Sequence, residues 1–545
     1  MNFLRLSDLW LSVLFEDDDI IAVDKAYGFN AHTNDSKTEH SDYIQDGLIE
    51  IYEKQFGRRL YIIHRLDQTT TGVMIFGKSP ESAKKYAEFF FNRQVHKTYW
   101  FITKSRSTQN TFTIDKTIIH KAKELESLTD LSILEKGKNH ELWEAKPHTG
   151  RNHQIRIHSQ TAGIPILGDV TYDGAPFPFI CLHNCKIEFP NGITITSNPP
   201  EYFKNIALLE DIILTKMLFE TDRRQRLFAF SRIKNACFRL ATVHCNKEDV
   251  FFIDQLGPQI LVQWYKTTLN EHDLKRFQYY CDWLQTPVVI HLQKDSKEQN
   301  NRFTVCYPSN LTRPDKISSP SSQLKEPDLP NDFLKWIAVE GDSKYEIRCE
   351  KNSYIGLSTD QRLQRDWLKQ NAKNKTVLNL FSQFGGYSIS AALGQAQQIT
   401  LVDLSKNLLN ISRVNFQLNE LSADAHKFYC RDSASFIEMC GNKEIKYDVI
   451  VCDIPSFYRR EKGVFKIEND LEKLLGHCLA SLNPQGHLMF STRFDHLYID
   501  DIRKMLIKIQ TEKKWNLEIT SILPALDLEL PYERPTLKSF LIQLK

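Results

Sequence analysis

Apolar residues first gather at Ile20-Ile21-Ala22-Val23, a run short enough to predict a buried strand, which Tyr27-Gly28 ends. Val73-Met74-Ile75-Phe76 predicts a second. The period then changes. Ser79 offers an N-cap hydroxyl, Pro80 suits a first helical turn, and Ala83, Tyr86, Ala87 and Phe90 recur at helical spacing, so one face packs on a sheet. Further strands are expected over residues 97–103 and 141–146. From Cys237 to Val305, strand-like runs at Val250-Phe251-Phe252-Ile253, Ile260-Leu261-Val262 and Val288-Val289-Ile290 alternate with a helical stretch over residues 270–284, the pattern of a small α+β unit. Pro308, Pro314, Pro320, Pro327 and Pro330 then fall among serines, which reads as a linker or flexible loop. Beyond it Val377-Leu378-Asn379-Leu380-Phe381, Ile399-Thr400-Leu401-Val402-Asp403, Tyr447-Asp448-Val449-Ile450-Val451-Cys452-Asp453 and Gly486-His487-Leu488-Met489-Phe490-Ser491 alternate with helical segments. Repeated βα units predict a doubly wound, mostly parallel sheet that holds ligands beyond its strand C-termini.

The length of 545 residues exceeds what one core organises, so two to four domains are expected. An apolar fraction of 41% and a charged fraction of 25% are ordinary for a soluble globular protein. No run approaches the roughly 18 apolar residues of a membrane helix. Leu9-Trp10-Leu11-Ser12-Val13-Leu14-Phe15 is short and runs into Glu16-Asp17-Asp18-Asp19, so it reads as part of the fold rather than as a signal peptide. Eleven cysteines, an odd number, suit a reducing, cytoplasmic setting. Cys181 and Cys185 flank His183 without a second pair at ligand spacing, and no metal site is expected. A net charge of +2 argues against indiscriminate coating of nucleic acid but leaves room for a local groove that meets phosphate. Arg223-Arg224-Gln225-Arg226, with Arg232 and Lys234, marks either a solvated helix face or an RNA-contacting patch.

The first candidate for chemistry is His64-Arg65-Leu66-Asp67-Gln68-Thr69-Thr70-Thr71-Gly72, one acid in a turn between two apolar runs. A carboxylate there is held rigidly and stays open to a substrate, as a nucleophile requires, although an Asp among threonines is also a common turn-former. It is followed by Lys97-Thr98-Tyr99, by Thr149-Gly150-Arg151-Asn152-His153-Gln154-Ile155-Arg156-Ile157-His158, and by Ile166-Leu167-Gly168-Asp169 with Tyr172. Taken in this order the motifs resemble the RluA-type pseudouridine synthases over residues 12–202. The resemblance implies a cofactor-free isomerisation with Asp67 as nucleophile and Arg156 as the cation that keeps it charged. It also implies Tyr99 stacking on uracil and moving protons, Arg65 filling the gap left by a displaced nucleotide, and His64 and Arg151 meeting the RNA. Ala26 stands where proline is usual after Lys25, and Thr71 where serine is common.

In the second half, Gly385 and Gly386 after a strand allow close backbone approach to a nucleotide-like ligand, and Asp403 closing the next strand suits ribose hydroxyls. Asp432 and then Asp453-Ile454-Pro455-Ser456-Phe457 follow. With Gly356-Leu357-Ser358-Thr359-Asp360-Gln361-Arg362 as a pre-sheet hairpin, residues 215–545 are similar to S-adenosylmethionine methyltransferases that modify bases of large-subunit ribosomal RNA. That similarity implies cofactor contacts at Asn379, Phe381, Gly385, Gly386, Asp403, Asp432, Asp453 and Arg362, with Asp453 also catalytic and Pro455 and Phe457 against the base. Ile454 replaces a proline of the usual acid-Pro-Pro turn, and Gln383-Phe384 replace smaller residues. Ser491-Thr492-Arg493-Phe494 lacks the cysteine of cytosine-C5 members, so a base nitrogen is the expected acceptor.

The expectation is a multidomain, monomeric, cytoplasmic protein without membrane contact. It comprises an α+β mixed-sheet synthase domain (residues 1–205), a helical connector, small α+β domain and linker (206–332), and a Rossmann-like α/β methyltransferase domain (333–545). It would modify ribosomal RNA twice; the alternative is a synthase carrying a silent, RNA-positioning rear domain.

Overall fold

The computed structural model describes residues 3–4, 11–33, 46–120, 123–229, 236–246, 249–266, 268–292, 303–310, 335–350, 353–455, 458–459, 464–465, 467–494, 496–528, 530 and 537–545. Phe457, Arg232, Lys234 and the proline-rich stretch beyond residue 310 lie outside these. No described helix is long and apolar enough to cross a membrane.

The front half is built on a ten-stranded mixed sheet. Its main path runs Phe15–Glu16, Ile20–Lys25, Thr71–Gly77, Leu182–Glu188, His96–Thr103, Glu141–Pro147, Leu128–Lys136, Thr111–Asp115. Every pairing along it is antiparallel except Thr71–Gly77 with Leu182–Glu188. Ile20–Lys25 is buried throughout because both of its faces are covered: Ile21 and Val23 join one core, Ile20 and Ala22 another. Helix Pro80–Phe91 covers the second face, and its N-terminus is closed by a reciprocal pair of bonds between Ser79 and Ser82.

Strand register sets the geometry of the front site. Gly72 pairs with Asn184, and Asn184 pairs on its other side with Tyr99, so the residue just after the Asp67 turn and the candidate tyrosine share one level of the sheet. Tyr99 also pairs with Ala145, whose strand leads straight into Thr149. Only glycine serves at position 72: φ is 108°, and a Cβ there would lie 2.2 Å from the Asn184 carbonyl oxygen.

The middle of the chain forms a five-stranded sheet in the order Cys237–His244, Val250–Leu256, Gln259–Trp264, Val288–Leu292, Phe303–Cys306, with helix Glu271–Leu284 packed on it. Next come the antiparallel strands Lys335–Glu340, Ser343–Glu350 and Ser353–Ile355. The segment 356–362, expected as a hairpin, is instead the link from that small sheet through a 3-10 turn (Thr359–Gln361) to helix Arg362–Asn371. The rear sheet has eight strands, with Thr376–Leu380 and Tyr447–Ile454 adjacent and parallel at its centre and Gln398–Asp403 beside them. The amino-terminal pair Phe3–Leu4 adds an edge strand to this rear sheet, parallel to Leu517–Ile522.

Helix Ile212–Leu227 corrects both readings of its basic run. Arg223, Arg224 and Arg226 are 3%, 0% and 4% exposed, so they form neither a solvated face nor an RNA patch. Arg226 donates to both oxygens of Asp24 at 2.8 and 2.9 Å and to Asp222, tying the helix to the strand that ends in Lys25. Two residues earlier, Arg224 donates to the Asp527 carbonyl at 2.7 Å. The Asp527 carboxylate in turn takes Arg362 at 2.6 Å and the Arg239 backbone at 2.9 Å. One helix therefore clamps front sheet, middle sheet and the carboxy-terminal segment through buried charges.

Removing one member of such a cluster leaves the others charged and buried. Arg226→Ala is expected to destabilise the protein by about 3–5 kcal/mol, read as a drop in urea midpoint, whereas Asp24→Asn/Asp222→Asn/Arg226→Met should recover much of the loss.

Candidate active sites

The turn Asp67–Thr70, closed by Thr70 N donating to the Asp67 carbonyl at 3.0 Å, sets Asp67 at the floor of a cleft of about 810 Å³. All six front-site residues expected from the sequence, His64, Arg65, Asp67, Tyr99, Arg151 and Arg156, line this one cleft. Among the described residues its charged lining consists of five cations (Arg65, Arg93, Lys97, Arg151, Arg156) and the single acid Asp67. Such a wall attracts a polyanion and leaves one carboxylate to face it.

Arg156 is fixed before any ligand arrives. Its Nε and Nη2 donate to the two oxygens of Asp169 at 2.6 and 2.8 Å, its guanidinium lies 5.0 Å from the Tyr172 ring centre, and its Nη1 is left 3.5 Å from Asp67 Oδ2. Burial opposes the charge, yet the bonds to Asp169 outweigh it and hold the Arg156 pKa above its ordinary value. The loop in front of its helix is stapled by Gln154, whose side chain accepts from Thr149 and from Arg151 N and donates to Leu128 and Thr129.

Burial, and secondarily the charge of Asp67, push the Tyr99 phenol up, so it rests protonated at neutral pH. Lys97, which donates to the Thr149 carbonyl at 2.9 Å, is lowered by burial to about 8. His64 borders the cleft but its ring is committed to the fold: Nε2 accepts from Ile75 N at 3.2 Å, the ring stacks on Phe90 at 4.8 Å, and burial lowers its pKa to about 3.

One residue lay inside a recognised motif without being singled out. His153 stands 3.7 Å from Asp67 Oδ2 through Nε2, and its Nδ1 is 2.9 Å from the Tyr172 hydroxyl. Its φ of 54° is left-handed, a conformation costing a non-glycine residue on the order of 1 kcal/mol that tertiary contacts must offset. Spacing cannot reveal a backbone angle, although Tyr172 at the end of the motif series was a usable signal.

In the rear half the expected residues converge on the carboxyl ends of Thr376–Leu380, Gln398–Asp403 and Tyr447–Ile454. The bend from Phe381 to Gly385 is left-handed at 381, 383 and 385, and Asp403 fastens it by accepting from Gln383 N at 2.9 Å, its other oxygen accepting from Ser405 N at 2.8 Å in its own loop. Gly386 opens helix Gly386–Leu393 directly after it. Asp432 caps helix Ser433–Asn442 by accepting from Ser435 N at 2.7 Å. Asp453 is 4% exposed; its Oδ2 accepts from Gln361, while its Oδ1 sits 3.7 Å from Arg493, itself paired bidentately with Asp360. Burial raises the Asp453 pKa, with Arg493 opposing. Pro455, two residues on beyond the buried Ile454, is half-buried.

Arg362 is a correction. Rather than facing a cofactor, its guanidinium is bonded to Asp527 and to the Cys237 carbonyl, part of the clamp between middle and rear sheets.

Three buried polar atoms at this sheet end, Asn379 Oδ1, Ser382 Oγ and Asp453 Oδ1, find no hydrogen-bond partner among the described residues. Unsatisfied buried polar atoms are costly, and these three lie where a doubly wound sheet holds its ligand. Among the described residues no group of His, Cys, Asp or Glu is arranged to hold a metal.

Comparison with known proteins follows the same division. Residues 19–161 match the family described as RNA pseudouridylate synthase, and residues 319–501 match S-adenosylmethionine-dependent methyltransferase. Ribosomal RNA large subunit methyltransferase K/L of Shewanella oneidensis is 35% identical over 181 residues, which are 32% of this chain and 25% of that protein. The chain thus spans about a quarter of the length of the curated relatives it matches. Among solved structures, a SAM-dependent methyltransferase from Agrobacterium tumefaciens aligns with 54% of this chain and 87% of its own, at 18% identity and a TM-score of 0.40. Human RNA pseudouridylate synthase domain containing 4 aligns with 37% and 92%, at 22% identity and 0.30. S-adenosylmethionine is the cofactor of the rear domain's family, and its ammonium and ribose hydroxyls are donors of the kind the orphaned acceptors lack. The chain therefore joins a domain of the RNA pseudouridylate synthase family to one of the S-adenosylmethionine-dependent methyltransferase family.

Proposed function

We propose that the chain modifies large-subunit ribosomal RNA at two levels, isomerising uridine to pseudouridine in front and methylating a base nitrogen behind. The observation that carries the front half is Asp67 facing the fixed guanidinium of Arg156 at 3.5 Å in an otherwise cationic cleft.

Isomerisation breaks the bond from ribose C1′ to N1 of uracil and forms one from C1′ to C5; the C5 proton leaves and one is taken up at N1, so no atoms are gained. Asp67 supplies the negative charge that the electron-poor sugar carbon demands, and the Arg156 guanidinium faces it as a fixed cation. The protonated phenol of Tyr99 offers a stacking face and a proton, and His153, held by Tyr172, is a second titratable group beside Asp67. Arg65 is exposed at the rim, where a planar cation can fill the space of an extruded nucleotide.

In the rear domain, Asn379, Ser382 and the bend that Asp403 fastens would hold S-adenosylmethionine, which supplies an electrophilic methyl group when bound. Asp453 would accept a hydrogen bond from the acceptor base, with Gln361 and Arg493 fixing the carboxylate.

Asp67→Ala is expected to lower pseudouridine formation more than roughly a thousandfold with RNA affinity within a fewfold of wild type. Nucleoside mass spectrometry of ribosomal RNA from a deletion strain complemented with each variant checks this, and full modification by the variant would end the front assignment. In the same experiment Asp453→Ala should remove one methylated base, by a rate loss of about a hundredfold or more, and leave pseudouridine intact. The Lys97 ammonium is charged below about pH 8 and neutral above, so affinity for RNA should fall as pH rises through that value. Lys97→Arg, which stays charged, should flatten the curve of Kd against pH.

A further inference from the structure

Helix Pro80–Phe91 ends in three consecutive phenylalanines with different fates. Phe89 and Phe90 turn inward: Phe90 stacks on His64 and packs edge-on against Phe189, and Phe89 contacts Tyr86 and Phe189. The next side chain is turned about 100° further round the helix. Phe91 is consequently 87% exposed, the most exposed large hydrophobic among the described residues. A lone exposed aromatic is ordinary on protein surfaces and explains nothing by itself.

What makes this one informative is its place. Phe91 lines the same cleft as Asp67, on the wall that carries Arg93 and Lys97, with Arg151 also lining it. Its two inward neighbours pin the end of the helix, so the backbone that carries the ring is fixed at the cleft. Arg93 follows with a left-handed φ of 58°, and its ion pair with Glu126 is long, 3.8 Å, and solvent-exposed, so it gives way readily to phosphate. An aromatic face beside several cations is the combination that holds single-stranded nucleic acid, whose every base has a stacking face and every linkage a charge.

We propose that Phe91 is a stacking platform for a nucleotide neighbouring the uridine that enters the cleft, with Arg93 and Lys97 taking the adjoining phosphates. The inference rests on the RNA reading of the cleft and adds to it a fixed point of contact outside the reacting base.

The test uses the full chain and a twelve-residue oligouridylate carrying one 2-aminopurine, whose fluorescence is quenched by stacking. Wild type and Phe91→Trp should bind with similar Kd and quench the probe. Phe91→Ala and Phe91→Leu should bind about tenfold more weakly and lose the quench, leucine failing because it is apolar without a stacking face. Equal Kd and equal quench for all four proteins would overturn the platform while leaving the RNA reading in place. A quench retained by Phe91→Leu alone would also overturn it, pointing to plain apolar contact. Failure of wild type to bind the oligonucleotide would remove the RNA reading and the platform together.

Discussion

The front site depends on a guanidinium whose position is decided without its substrate. Asp169 occupies two nitrogens of Arg156 and Tyr172 covers its face, leaving only Nη1 to look at Asp67. An arginine held directly by Asp67 in a full bidentate pair would blunt the carboxylate as a nucleophile. An arginine without Asp169 would be a mobile cation needing reorganisation at the moment of reaction. The observed arrangement avoids both, leaving the acid accessible beside a fixed cation, which is the preorganisation that electrostatic catalysis rewards. Strand register does the rest, since Gly72, Asn184 and Tyr99 lie at one level of the sheet and bring turn and phenol to the same wall.

The two domains are also held in a defined relation. Helix Ile212–Leu227 is fastened to the front sheet by Arg226 on Asp24 and to the carboxy-terminal segment by Arg224 on Asp527. Asp527 meets Arg362, and the neighbouring Gln361 bonds Asp453 at the rear site. Buried ion pairs add little net stability compared with apolar packing, but they tolerate few alternative geometries. They therefore hold the front sheet, the middle sheet and the carboxy-terminal segment in one arrangement.

Much of this could be read from the sequence. The Asp67 turn, the Ser79 cap and the βα alternation of the rear half all announce themselves locally, because turn chemistry, capping and apolar period act over a few residues. The basic run at Arg223, Arg224 and Arg226 could not be read that way. Charged residues are ordinarily solvated, and their local pairs with Glu220 and Asp222 would suit an exposed helix face equally well; the distant partners are Asp24, 202 residues from Arg226, and Asp527, 303 residues from Arg224. The place of Arg362 is hidden from the sequence for the same reason, its acid Asp527 lying 165 residues away. Phe91 and His153 fail differently: nothing in Phe89-Phe90-Phe91 says which ring faces out, and a left-handed backbone leaves no mark on composition.

Release of tritium from RNA carrying uridine labelled at C5, incubated with the purified full chain, tests the role of the Asp67 cleft most directly. Carbon 5 must lose its hydrogen when it joins the sugar, so wild type is predicted to release label. Arg156→Lys keeps the charge but not the two-pronged hold on Asp169, and it should release label about a hundredfold more slowly with RNA affinity within a fewfold of wild type. Release by Arg156→Lys at the wild-type rate, or none from wild type on intact ribosomal RNA, would contradict the assignment of this cleft.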